Sequence, residues 1–345
     1  MNFLCSPVRQ DNPYHLTEHK IGDYFVYLDR GWTHQDGYFF KGIKSDWCKI
    51  RHGRNLTIET NKFRGFPIYT NGTDLSNFAN IGDVVPVDGI ASIKDNAVSI
   101  SYHENFYPKI PNDHLSFKES TDILYDAVVE NVGSFIANNK NEVMIPEQNG
   151  IDTLLARSAF DYLGAPYKLF TFDTKPELSL LGDHLAKSYW GFAQVPEFRG
   201  KVIVSGFHGD EWILRNPYYA HVLLSARGVS ITEKFDSIGD CYMKKFFDRL
   251  YRKKCLQPYT KTREQLLTEI CNDFQIWHLN DTTILSPLKH ESLLVLLAAD
   301  NDTIVSQVTD AELSKAVIGK LNPKLLDLLD KHKNQHDPDF FWPER

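Results

Sequence analysis

The sequence predicts a two-part α/β protein: an antiparallel β-rich N-terminal domain, then a parallel-sheet domain with a helical C-terminal lobe. Three observations carry that expectation. Residues 21–107 alternate apolar and polar positions between Gly- and Asn-containing turns. Residues 143–204 alternate short apolar runs with helical spacing, and after Pro217 the apolar residues recur at helical intervals.

In the first part the strand candidates are Tyr24–Leu28, Tyr38–Phe40, Cys48–Ile50, Leu56–Thr60, Ile68–Thr70 and Val98–Tyr102. The period then changes. From Ser120, Ile123-Leu124, Ala127-Val128 and Phe135-Ile136 recur at helical spacing, and the polar stretch Asn138-Asn139-Lys140 closes the helix. Pro108, Pro111 and Asn112-Asp113 mark a boundary, which divides the chain into domains 1–112 and 113–345.

The second part opens on the strand Val143-Met144-Ile145 and a helix from Asp152 to Leu163 that stops at Gly164. Tyr167–Phe172 is a buried-strand candidate, and the helical crossover implies that it pairs in parallel with the first. A helix around Leu180–Tyr189 leads to the third strand, Lys201–Val204. Phe246-Phe247, Leu250, Leu266-Leu267, Ile270 and Phe274 carry the helical period onward.

Composition narrows the function. A chain of 345 residues with 42% hydrophobic content can bury a sizeable core, and a net charge of −7 offers no basic field for nucleic acid or an anionic membrane. Five widely spaced cysteines without a C-x-x-C pair point to a reduced, cytoplasmic protein. The apolar start Met1–Cys5 is broken by Pro7, Arg9 and Asp11, too early for a secretory segment, and no run approaches membrane-span length. Lys244-Lys245, Arg249 and Arg252-Lys253-Lys254 interleave with Phe246-Phe247 and Leu250-Tyr251. That pattern is the wet face of an amphipathic helix, with salt-sensitive nucleic-acid binding as the alternative. His103, His114, His184, His221, His278 and His290 show no ligand spacing, so zinc is not expected; a G-x-S-x-G elbow and a Walker loop are also missing.

The chemistry concentrates at two strand-to-helix corners. Val143-Met144-Ile145 runs into Pro146-Glu147-Gln148-Asn149-Gly150-Ile151-Asp152-Thr153, and Val202-Ile203-Val204 runs into Ser205-Gly206-Phe207-His208-Gly209-Asp210-Glu211. Both corners belong at the carboxyl end of a parallel sheet, where open α/β folds bind ligands. Gly150 permits close backbone approach, and a helix N-terminus near Asp152 offers N–H groups to an anion. Plainer readings stay open. Asp152 also suits the positive end of a helix dipole, Asp210 and Glu211 suit a solvated loop, and His208 suits ordinary polar surface.

These corners resemble the nucleotide loops of the asparagine synthetase family of ATP pyrophosphatases, Ser-Gly-Gly-x-Asp-Ser and Ser-Gly-Glu-Gly-Ala-Asp-Glu. The first keeps Gly, Asp and a hydroxyl with Gln148-Asn149 in place of Ser-Gly; the second keeps Ser-Gly and Asp-Glu. The resemblance implies an adenine nucleotide alpha hydrolase-like sheet, ATP and Mg²⁺, and adenylation of a small carboxylate before an amine attacks. It implies Asn149, Gly150, Thr153, Ser205 and Gly206 around the cofactor, with Gly150 and Thr153 at the phosphates. Thr171 and Phe172 would lie near adenine, and Asp152, Asp210 and Glu211 on the metal. Lys315, in Asp310–Lys315, stands where the family carries a lysine facing pyrophosphate and is the catalytic candidate; a solvent-facing helix residue is the alternative. Upstream, Leu56–Tyr69 is similar to a strand-turn-strand of class II glutamine amidotransferases. That chemistry uses an N-terminal cysteine, whereas residue 2 is Asn2 and the first cysteine is Cys5, so glutaminase activity is not expected. The altered phosphate loop leaves a second implication open: a degenerate relative that binds a nucleotide or a protein partner without catalysis.

Overall fold

The structure, a computed structural model, describes residues 3–10, 16–29, 32–43, 46–62, 67–77, 82–110, 114–147, 150–170, 196–206, 209–229, 263–272, 278–279 and 282–331. It is mixed α/β, with two antiparallel sheets, a small mainly parallel sheet, and helices.

The antiparallel strands are β1 (Phe3–Ser6), β2 (Thr17–Ile21), β3 (Tyr24–Leu28), β4 (Thr33–Gln35), β5 (Tyr38–Ile43), β6 (Asp46–His52), β7 (Leu56–Thr60), β8 (Tyr69–Thr70), β9 (Leu75–Ser76), β10 (Asp83–Val84), β11 (Gly89–Lys94) and β12 (Ala97–Tyr102). One sheet runs β10-β8-β9-β1-β3-β2 and the other β12-β11-β7-β6-β5-β4. Phe3, Val26 and Leu28 of the first sheet share one core with Phe39, Ile50, Ile58 and Ile93 of the second. Register explains the second sheet's apolar face, because Phe39 lies opposite Ile50, Ile50 opposite Ile58, and Ile58 opposite Ala91. Each such buried side chain contributes about 1.5–3 kcal/mol. Strands β1, β2, β4, β9, β10 and β11 lie beyond the candidates read from alternation. β1 is buried at all four positions and β4 exposed at all three, so neither alternates.

Helix α1 (Phe117–Asn138) starts three residues before the expected Ser120 because Ser116 caps it. The Ser116 hydroxyl accepts the Glu119 N–H at 3.3 Å, and the Glu119 carboxylate accepts the Ser116 N–H at 2.9 Å. Its buried Asn131 donates to the Pro287 carbonyl at 2.8 Å, tying the helix to a distant loop.

The parallel part contains β13 (Val143–Pro146), α2 (Ile151–Tyr162), β14 (Lys168–Phe170), β15 (Val202–Val204), α3 (Gly209–Trp212), α4 (Pro217–Ala226), α5 (Arg263–Cys271), β16 (His278–Leu279), β17 (Thr282–Leu285), α6 (Asn301–Asp310) and α7 (Glu312–Leu321). The strand order is β14-β13-β15-β17-β16, parallel except for the β16–β17 pair. The chain thus leaves β13 on one side to form β14 and returns on the other to form β15. That reversal is a topological switch point at the carboxyl ends of β13 and β15, the position at which α/β sheets take ligands. Phe160, Val204, Trp212 and Leu293 belong to the core around this sheet, which Val87 and Phe106 from the preceding β-rich part join. The expected helix at 180–189, Thr171, Phe172 and the basic stretch 244–254 lie outside the described residues. Among the described residues, no helix is long and apolar enough to cross a membrane.

Candidate functional site

The site is assembled by two corners that close on each other. Gly150 caps α2 with extended backbone (φ −65°, ψ 132°) and supplies no side-chain cap, so the first-turn N–H groups keep their affinity for an anion. After β15, the Ser205 N–H donates to the Leu285 carbonyl at 2.8 Å, which fixes the second corner against β17. The loop then passes directly over α2. A Cβ on Gly206 would lie 2.7 Å from the Thr153 nitrogen, and one on Gly209 would lie 2.3 Å from Asp152 Cγ. Only glycine permits that approach at either position.

The consequence is electrostatic. Asp152, in the first turn of α2, and Asp210, in the first turn of α3, meet the same guanidinium. Arg215 Nη1 donates to Asp152 Oδ2 and stands 3.6 Å from Asp210 Oδ1. The Arg215 side chain is only 9% exposed and that of Asp152 16%, so these charges interact where water screens them little. Burial raises the Asp152 carboxyl to about 6, against the pull of Arg215, and Asp210 adds to the rise. Burial disfavours the Arg215 charge too, but Asp152 and Asp210 outweigh it and hold the guanidinium protonated. Among the described residues, neither Asp152 Oδ1 nor Asp210 Oδ1, both buried, has a hydrogen-bond donor. Such orphaned acceptors are costly to bury.

Arg215 is the residue of this candidate site that sequence reasoning missed. It reaches the site because the chain turns sharply after α3: Leu214, fully buried, has φ +60°, in the left-handed region. That conformation costs on the order of 1–3 kcal/mol for a branched side chain. The Arg215 and Asn216 N–H groups both donate to the Asp210 carbonyl, at 2.9 and 2.6 Å, which holds the turn. One signal was available in the sequence. An arginine directly after Trp212-Ile213-Leu214 follows an apolar run and needs a partner if it is buried with it. A second cation, Lys289, is also buried, its Nζ 5.6 Å from the Trp212 ring centroid.

Asp152, Thr153, Gly150, Ser205, Gly206, Asp210 and Glu211 therefore stand at one end of two adjacent strands. Asn149, with Gln148, and the pair Phe207-His208 lie outside the described residues, as do Thr171 and Phe172. Lys315 sits on α7, where its ammonium pairs with Glu312 at 3.1 Å and joins neither Asp152 nor Asp210. Among the described residues no group of three or more His, Cys, Asp or Glu converges as a metal site. No family model matches the chain, and no curated protein matches it.

Proposed function

We propose that the chain binds Mg²⁺–ATP at the carboxyl ends of β13 and β15 and uses it to adenylate a small carboxylate, in the manner of asparagine synthetase-like ATP pyrophosphatases. The single observation that carries this reading is the meeting of Asp152 and Asp210 beside the uncapped N-terminus of α2. Asp152 and Asp210 together with Arg215 sum to a net negative charge, which repels a bare triphosphate. A nucleotide carrying its own divalent cation suits both the acids and the helix N–H groups.

The residues fit such a cation in part. Mg²⁺ needs only one or two carboxylates when phosphates and water complete its shell, and two orphaned carboxylate oxygens are present. Asp210 would hold it most directly, since Gly209 covers Asp152 Oδ1 and Arg215 occupies Oδ2. Bound there, the ion would supply charge neutralisation as pyrophosphate leaves. Gly150 and the backbone of Thr153 would orient the phosphates, and Arg215 would hold Asp152 in position. The amine would come from solution or from a second substrate, because the Cys5 thiol is buried in the middle of a sheet.

The Arg215 bridge favours a second reading, nucleotide binding without catalysis, because it already neutralises the acid that the family's loop directs at the metal. Calorimetric titration with Mg²⁺–ATP, followed by a carboxylate-dependent pyrophosphate-release assay, separates the two. Binding that Asp210→Ala abolishes at unchanged melting temperature, together with pyrophosphate release, supports the ligase. Binding without release leaves the second reading, and no binding by the parent chain sinks both.

A further inference from the structure

Three histidines from three strands gather on one aromatic ring at the open rim between the antiparallel sheets. His34, on the edge strand β4, lies directly opposite Phe39, and its ring centroid is 4.6 Å from that of Phe39. His52 ends β6, 5.8 Å from the same ring, and His19, on β2 of the facing sheet, stands 4.9 Å from it. His34 extends the apolar row Phe39–Ile50–Ile58–Ala91 outward to solvent, and His52 lies one row further along the same face. The residue of β5's turn beside His52 is Gly37, whose carbonyl accepts the His52 N–H at 2.9 Å. Glycine puts no side chain between the two imidazoles. They therefore meet edge to edge across the sheet, with His34 Nε2 and His52 Nε2 3.3 Å apart and the rings nearly parallel.

That separation is informative. Two nitrogens bound to one tetrahedral zinc at about 2.0–2.1 Å lie about 3.3 Å apart, the distance between adjacent corners of its coordination shell. A shared proton also bridges two ring nitrogens, but between exposed imidazoles it adds little, since water offers each ring the same bond. The ring centroids stand 5.6 Å apart, so the two nitrogens face each other, and a turn of each exposed ring about its side-chain bonds brings both onto one metal. Imidazole nitrogen suits zinc, nickel and copper far better than magnesium or calcium, which take oxygen.

We propose that His34 and His52 form the protein half of a binding site for a divalent transition metal of the zinc type, which fastens edge strand β4 to β6 across β5. Water completes the coordination shell. The bridge closes the exposed end of the second sheet, where β4 contributes only three residues and is the edge strand among the described residues. This site is separate from the Asp152–Arg215 corner and does not depend on what that corner binds.

The test is calorimetric titration of Zn²⁺ into the full chain, freed of any affinity tag and stripped with chelator. The parent should show a site that His34→Ala and His52→Ala each weaken at least tenfold, with His103→Ala unchanged. Zinc binding that is absent in the parent, or as tight in either rim variant as in the parent, overturns the proposal. Because altering His52 also touches β6, a second measurement uses the unaltered chain. Diethylpyrocarbonate labelling mapped by mass spectrometry should show Zn²⁺ protecting His34 and His52 while exposed His103 reacts as before, and equal labelling of all three overturns the site.

Discussion

Arg215 donates a hydrogen bond to the carboxylate of Asp152, joining two residues that stand 63 positions apart in the chain and begin at separate strand-to-helix corners. The bond lies at the reversal in strand order of the parallel sheet, so the tie between the two corners and the candidate ligand site are the same place.

Breaking that pair should be costly. Arg215→Met leaves Asp152 and Asp210 facing each other without compensation, and removing one partner of a buried ion pair costs about 3–5 kcal/mol. Urea unfolding should show a loss of that size. A loss below about 1 kcal/mol would mean that water screens the pair as it does at an open surface.

Asp152 also gives stability a pH signature. Its carboxyl is raised from 3.8 to about 6 in the folded chain, so the fold keeps this proton over a range where the unfolded chain releases it. This group's contribution is complete below the unfolded value and is lost as pH rises through about 6, a change of about 2–3 kcal/mol. Asp152→Asn removes that slope. Relative to the parent, the variant should gain stability by that amount between about pH 4 and pH 7, and parallel stability curves would refute the raised carboxyl.

Gly209 should tolerate no side chain. A Cβ there would meet Asp152 Cγ at 2.3 Å, so Gly209→Ala must push the second corner off α2. Overpacking of this kind costs about 1–3 kcal/mol. In a double-mutant cycle, its effect should shrink when Asp152 is already Ala, because the clashing carboxylate is gone. Additive effects would place the strain elsewhere.

Gln148→Ser with Asn149→Gly restores the small residues that the resembling family carries in its phosphate loop. If side-chain bulk is what limits the site, Mg²⁺–ATP affinity should rise about tenfold, worth about 1.4 kcal/mol. Calorimetry on the double variant decides it, and unchanged affinity would remove loop bulk as the cause.

Cys5 should be inert in the folded chain. It is fully buried in β1, paired to Val26 on one side and Leu75 on the other, and burial pushes its thiol well above the ordinary range, with Asp74 adding to the rise. Iodoacetamide or a glutamine-directed alkylating analogue should label it only after unfolding. Rapid native labelling at Cys5 would contradict both the burial and the unreactive thiol.

Much of the fold was legible because periodicity reports which face of an element is buried. The alternation at Leu56–Thr60 gave β7 to the residue, and the helical repeat around Leu124, Ala127, Val128 and Phe135 gave α1 apart from its capped first turn. The acids Asp152 and Asp210 were legible for a similar local reason, since each follows an apolar strand and a glycine. Strands β1 and β4 were not, because one is buried on both faces and the other on neither.

By itself, then, the sequence determined the order of β-rich and α/β parts, the parallel crossover from β13 to β14, and the two acidic corners. Only the tertiary structure decided what those corners face. Arg215 closes on Asp152, and His34 on His52, through loop turns and strand register that bring together residues 63 and 18 positions apart. Local patterns constrain dihedrals and burial within a few residues. Which distant side chains share a point depends on the order and register of strands, where a slip of one residue sends each side chain to the opposite face.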